Sequence, residues 1–209
     1  MTGDIYAGYE PHLQEILDDF KKRMTLENQR QKAKTGYGLF EHLHARIKDR
    51  DSMLEKCQRK GLPKTPQSAL KGIKDSIGVR LICGFVDDIY RLVDVIKDYE
   101  DCQIVAEKDY IMNAKPNGYR SYHLILEVET AKKDCLGNLP GRYFMEIQLR
   151  TIAQDSWASL EHQMKYKHDI KDADRIVKEL KRCADEMASV DLTMQTIRQL
   201  IVNSNEETK

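Results

Sequence analysis

A chain of 209 residues, with 34 Lys plus Arg against 34 Asp plus Glu, has the length for one domain with a sizeable core and carries no net charge. That balance excludes a global field drawing the protein to nucleic acid or anionic lipid, so any anion site must be local. No run approaches the roughly 18 apolar residues of a membrane span, and MTGDIYAGYEPHL lacks the basic-then-apolar pattern of a leader.

In chain order, Leu13, Ile16, Leu17, Phe20 and Met24 recur at helical spacing and predict a helix over residues 8–31. Leu39, Phe40, Leu43 and Ile47 predict a second at about 38–49. Ser52-Met53-Leu54-Glu55 fits a capping box opening a third helix, and Thr65-Pro66 fits a cap followed by proline in the first turn. The period then changes. Ile77 to Phe85 is rich in branched apolar residues and reads as a buried strand, followed by a helix over VDDIYRLVDVIKDY. Residues 102–111 and 121–129 are strand candidates, DCLGNLPG is a turn, and RYFMEIQLR alternates as a further strand. From Ile152 to about Tyr166, and over 171–202, the spacing is helical again. The expected fold class is α+β: a mixed sheet of about five strands flanked by N- and C-terminal helices in a single domain.

Cys57, Cys83, Cys102, Cys135 and Cys183 are scattered, odd in number and without a CxxC pair. This speaks for a reducing cytosol and small buried thiols, against a zinc site or disulfide frame. His12, His42, His44 and His168 lack ligand spacing and read as surface or packing residues; Trp157, Leu160 and Met164 keep helical spacing and read as core.

Four stretches could carry chemistry. On RYFMEIQLR, period-2 geometry puts Tyr143, Met145, Ile147 and Leu149 on one face and Phe144, Glu146, Gln148 and Arg150 on the other. The second face is either solvated or the floor of a cleft. In KDSIGVRLIC, Asp75 is a strand-edge cap or, paired in space with Glu146, half of a Mg²⁺ site that takes its remaining ligands from water and phosphates. In ARIKDRDSMLEKCQRK, a helix opened by Ser52 would carry Lys56 and Arg59 on one face, with Arg46 and Lys48 arriving from the preceding element. That is a solvated basic face or a polyphosphate site at a helix N-terminus. Finally, KPNGYRSYH is a decorated hairpin corner or a nucleotide cradle, with cations for phosphate, aromatic faces for a base and Gly118 for close backbone approach.

Taken together, ARIKxxxSxxEKxxRK, KDxIGVRLIC, KPNGYRSYH, EIQLRT and WASLEHQMKYK, in that order, resemble the synthetase domain of the RelA/SpoT alarmone enzymes over roughly residues 40–170. With no room for the hydrolase and regulatory domains of the long enzymes, a small alarmone synthetase with a nucleotidyltransferase-like core is expected. The resemblance implies transfer of the β,γ-pyrophosphoryl group of ATP to the 3′-hydroxyl of GDP or GTP, releasing AMP. It implies Mg²⁺ on Asp75 and Glu146, with Glu146 also the base. Arg46 and Arg80 would sandwich the adenine, and Lys48, Ser52, Lys56 and Arg59 would bind the ATP phosphates. Tyr119 would stack on the acceptor base, Asn117 would read its edge, and Lys115, His123 and Gln148 would hold its phosphates and ribose. Arg120 and Tyr122 receive no role, although Tyr122 alternates toward the apolar face.

A subgroup of the family has Phe-x-Thr-Gly-Arg before the ATP-binding arginine, associated with allosteric alarmone binding. Here His42-Leu43-His44-Ala45-Arg46 stands there, so the resemblance does not extend to that regulation. The apolar stripe Ile176, Leu180, Cys183, Met187, Val190, Met194, Ile197 and Ile201 either packs on its own domain or forms a homo-oligomer interface, most simply the family's tetramer. Two alternatives stand beside the main reading. One is a toxic relative that modifies adenine nucleotides or tRNA 3′ ends. The other is a non-catalytic module for nucleotide or single-stranded RNA, for which the carboxylates would be superfluous.

Overall fold

The computed structural model describes residues 4–165 and 173–206. Helix α1 (Glu10–Thr35) leads through strand β1 (His42–Ile47) to α2 (Arg50–Arg59) and a short π-helical turn (Ser68–Gly72). Strand β2 (Ile77–Cys83), helix α3 (Val86–Lys97), and strands β3 (Cys102–Asp109), β4 (Tyr122–Thr130) and β5 (Gly141–Thr151) follow. Helices α4 (Ile152–Lys165) and α5 (Ala173–Glu206) complete the order. The strands form one sheet, β1-β2-β5-β4-β3. Strands β2 and β5 run parallel and every other pair is antiparallel, so the sheet is mixed and the fold is α+β, as expected.

Alternation decides what each face of the sheet does. Ile77, Val79 and Leu81 of β2, Leu124 and Leu126 of β4, and Tyr143, Met145, Ile147 and Leu149 of β5 point into one core with α1 and α3. Burial of that face favours the sheet, since apolar surface removed from water is worth about 25 cal/mol per Å². The opposite face carries Arg80, His123, Glu146, Gln148 and Arg150, and α4 lies near it. Trp157 and Ala158 of α4 and Leu180 and Ala184 of α5 make a second, smaller apolar cluster beside it.

Several sequence expectations need correction. The stretch 38–49 is not a helix: Leu43, Ala45 and Ile47 alternate with exposed His42, His44 and Arg46, and the segment pairs with β2. Leu39 and Phe40, which lent it helical spacing, are buried in the connection instead. There the Asn28 side chain accepts from the backbone N–H groups of both and donates to the Phe40 carbonyl. Helix α2 is capped by Asp49, whose carboxylate accepts from the Ser52 N–H at 2.9 Å, so Ser52 lies in the first turn rather than at the cap. Thr65 does cap, accepting from the Ser68 N–H. Trp157 is core, but Leu160 and Met164 are exposed. His12 packs as expected, against Tyr143. His168, and the expected helix boundaries at Tyr166 and 171, lie outside the described residues.

Candidate functional site

The polar sheet face is the floor of a cleft of about 690 Å³ and not a solvated surface. Its walls include Arg46 and Lys48 at the end of β1, Asp75 and Arg80 of the β2 segment, and Glu146, Gln148 and Arg150 of β5. Tyr119 closes one side, with Glu161 and His162 of α4 across from the sheet. The parallel pairing sets this up: Gly78 lies opposite Glu146 and Arg80 opposite Gln148, so a residue without a side chain leaves open space beside the carboxylate.

The two acids differ in how they are held. Asp75 Oδ2 pairs with Lys48 Nζ at 3.1 Å and with Lys56 Nζ. Burial pushes its carboxyl up, but the two ammonium groups outweigh it and hold it below the usual range. Asp75 Oδ1 is buried without a hydrogen-bond partner among the described residues. Glu146 is lowered first by His123, whose Nδ1 lies 3.6 Å from Oε1, against burial and the Asp75 charge, which both push it up. Both groups are thus carboxylates at neutral pH. An orphaned carboxylate oxygen near a second carboxylate suits a hard divalent cation that completes its shell with water and phosphate. Among the described residues, no cluster of three or more His, Cys, Asp or Glu forms an all-protein metal cage.

Tyr119 is the hub of the other half. Its hydroxyl meets His123 Nε2 at 2.8 Å and accepts from Arg150 Nη2 at 2.8 Å. Lys115 Nζ stands 4.8 Å from its ring centroid and 4.6 Å from that of Tyr110. Asn117 Oδ1 accepts from the Tyr119 N–H, closing the turn in which Gly118 takes φ 90°, and Asn117 Nδ2 donates to Glu161 at 3.1 Å. Arg150 also donates to Gln148 Oε1 and Asp155 Oδ1. Asp155 pairs with Arg80 at 3.3 Å as well, so two guanidinium groups share one carboxylate. Burial, then Arg150, lower the Arg80 guanidinium from its ordinary value.

Of the expected residues, Arg46, Lys48, Asp75, Arg80, Tyr119, Glu146 and Gln148 line the cleft, and Lys56 reaches it through Asp75. Lys115, Asn117 and His123 join it through Tyr119, Glu161 and Glu146. Ser52 and Arg59 are exposed on α2 and are not among the cavity walls. Sequence reasoning assigned no role to Arg150, Asp155, Glu161 or His162. For Arg150 the signal was present in the strand alternation; for the α4 residues helical spacing alone did not distinguish a cleft wall from a solvated face.

Residues 45–171 match the family model for a region found in RelA/SpoT proteins. The chain belongs to the RelA/SpoT family. It is 40% identical over 182 residues to the GTP pyrophosphokinase YwaC of Bacillus subtilis (strain 168), spanning 87% of this chain and 85% of that one. To the GTP pyrophosphokinase YjbM of the same organism it is 33% identical, over 76% and 72% of the two chains. The fold superposes on the crystal structure of the small alarmone synthetase 2 from B. subtilis with a TM-score of 0.76 and 38% identity, over 90% of this chain and 95% of that one. On the small alarmone synthetase 1 bound to its product pppGpp, the TM-score is 0.78 at 28% identity, over 90% and 94%. The cleft of this RelA/SpoT protein therefore lies in a fold shared along most of the chain. Among its described residues, no helix is long and apolar enough to cross a membrane.

Proposed function

We propose that the protein is an alarmone synthetase that transfers the pyrophosphoryl group of ATP to the 3′-hydroxyl of GDP or GTP and releases AMP. One observation carries this reading. Glu146 stands between a cationic half (Arg46, Lys48, Lys56, Arg80) and an aromatic half (Tyr119, His123, Lys115), with Asp75 beside it. The first half suits a polyphosphate donor and the second a nucleotide acceptor, so the carboxylate is placed where the two would meet.

The residues suit the chemistry. A ribose hydroxyl is a weak nucleophile, and Glu146, held as a carboxylate, is the base that takes its proton. Arg46 and Arg80 offer planar guanidinium faces for the adenine, and Lys48 and Lys56 supply charge to the phosphates. Tyr119 offers a stacking face, Asn117 an amide for the base edge, and Lys115, His123 and Gln148 hold the phosphates and ribose. Mg²⁺, held by Asp75 and Glu146, would neutralise charge on the phosphates. Ser52 and Arg59 stay outside this reading.

We place the catalytic unit at about residues 40–170 and assign α5 a second role in a homo-oligomer, most simply a tetramer. Leu180 and Ala184 are buried against α4, but Val190, Met194, Ile197 and Ile201 are exposed, an apolar surface that a second copy would cover. All five cysteines are free, which fits a cytoplasmic protein. Nothing in the geometry favours single-stranded RNA or an adenine or tRNA acceptor, and a binding module would have no use for the carboxylate pair.

The test is incubation with γ-labelled ATP, Mg²⁺ and GDP, GTP, ADP or deacylated tRNA in separate reactions. Label is expected in the guanosine products, with AMP released. Label in ADP or tRNA but not in GDP or GTP would overturn the acceptor assignment.

A further inference from the structure

Arg120 follows Tyr119 directly, yet its guanidinium is turned to α5 and forms no part of the cavity wall. Nη1 donates to the Gly118 carbonyl and to the Ala184 carbonyl of α5, both at 3.3 Å, and Nη2 pairs with Asp185 Oδ1 at 3.1 Å. Asp185 is itself held by Lys181 at 2.6 Å. One planar side chain therefore bonds its own turn and the helix behind it together.

Two further observations put the loop hard against the helix. A Cβ at Gly118 would sit 2.5 Å from the Ala184 Cβ and 3.2 Å from the Lys181 Cα, so the turn backbone lies directly on α5. Trp157 Nε1 donates to the Leu180 carbonyl at 2.8 Å while its ring lies 6.3 Å from that of Tyr119. On the cleft side the loop is held by Asn117 to Glu161 and by Tyr119 to Arg150. On the far side the backing is α5, with Arg120 as the tie.

We propose that Arg120 is a positioning residue for the acceptor nucleotide, setting Tyr119 by anchoring the 115–120 loop to α5. This rests on the synthetase reading of the cleft. Arg120 touches no substrate; without it the turn keeps its shape but loses its seat, and the aromatic face no longer meets the base at a fixed height. Lysine, with no planar fork, can reach one of the acceptors but cannot span both carbonyls and the carboxylate. Among the described residues, Arg46, Lys48, Lys56 and Arg80 of the donor half make no direct bond to Arg120 or α5, and Arg80 reaches Tyr119 only through Asp155 and Arg150.

The experiment measures KM for GDP, GTP and ATP in the wild type, Arg120→Ala, Arg120→Lys and Asp185→Asn. It also records emission of Trp157, the chain's one tryptophan, as a direct readout of the junction. Arg120→Ala is expected to raise the acceptor KM about tenfold, the usual cost of losing charged hydrogen bonds, while the ATP KM stays within about twofold. Its Trp157 emission should shift to the red. Arg120→Lys and Asp185→Asn should show smaller effects in the same direction, and they keep the test open if the alanine variant fails to fold. An unchanged acceptor KM, or an ATP KM rising in step with it, would overturn the proposal. A wild type that transfers nothing to GDP or GTP would sink the synthetase reading instead. Trp157 then decides the anchor alone: a red shift in Arg120→Ala supports it, and unshifted emission overturns it.

Discussion

Two aspartates of this protein, Asp134 buried and Asp75 half-buried, each paired with lysine, are treated in opposite ways. Asp134, in the β4–β5 hairpin loop, accepts from the N–H groups of Leu136, Asn138 and Arg142, from Asn138 Nδ2, and from Lys71 Nζ at 2.7 Å. Both of its oxygens are spoken for. Asp75, at the cleft, has one oxygen shared by two ammonium groups and the other with no hydrogen-bond partner among the described residues. A buried polar group costs least when satisfied, so the first arrangement builds structure, whereas the second leaves an acceptor oxygen that no donor among the described residues takes. The loop carboxylate is a fastening, and the cleft carboxylate is the one that the proposed reading gives to Mg²⁺.

Substitutions can break this comparison. The largest effect should come from Glu146→Gln, nearly isosteric on the cleft floor, which is expected to cut transfer by at least about 10² with the thermal midpoint little changed. Wild-type turnover in that variant would remove Glu146 from the chemistry. Asp134→Asn should do the reverse, costing about 2–3 kcal/mol of stability while the folded enzyme keeps its KM values. Its pH dependence follows from the sign of the shift. Burial pushes the Asp134 carboxyl up, but Lys71, Asn138 and the backbone donors overcome this and hold it well below the usual carboxylate range. A depressed carboxylate contributes stability above the unfolded value and loses it as pH falls toward the folded one. The gap between wild type and Asp134→Asn, measured by denaturant titration, should therefore be full at neutral pH and shrink below about pH 4.

Smaller effects sharpen the division of the cleft. Arg46→Ala should raise the KM for ATP, and Tyr119→Ala the KM for the acceptor, each by about tenfold for a lost stacking contact. If both changes act on the same nucleotide, the two halves have been assigned wrongly. The mildest should be Met194→Asp/Ile197→Asp on the exposed part of α5, expected to lower the molar mass seen by light scattering and leave monomer stability within about 0.5 kcal/mol. An unchanged mass would move the interface elsewhere.

Much of this was legible in the sequence, for identifiable reasons. The alternation of RYFMEIQLR declared both faces of β5, and the ordered motifs from Arg46 to Gln148 marked residues that the sheet brings together. The edge strand β1 was misread because buried Leu39 and Phe40 in the preceding loop completed a false helical stripe with Leu43 and Ile47. The cap of α2 was misplaced by three residues because Asp49 and Ser52 are both good cap residues, and only the hydrogen bond from the Ser52 N–H settles which one acts. Asp155, Glu161 and His162 were missed because a helix beside a cleft shows the same spacing as a helix beside water. Asp134 was invisible as a fastening: five donors converging on one side chain are a property of the folded loop.

The parallel pairing of β2 with β5 also fixes the order in which the enzyme can come into being. It joins Ile77 to Met145 across an intervening helix and two strands, and Asp75 meets the neighbourhood of Glu146 only through it. The β4–β5 hairpin and the helices can form from nearby residues, but of the strand pairings this closure has the longest loop to overcome. Synthetase activity should accordingly return in the slowest refolding phase, after most helical signal is restored. During synthesis on the ribosome, no active cleft can exist until β5 has emerged, so a partly made chain is silent toward its nucleotides.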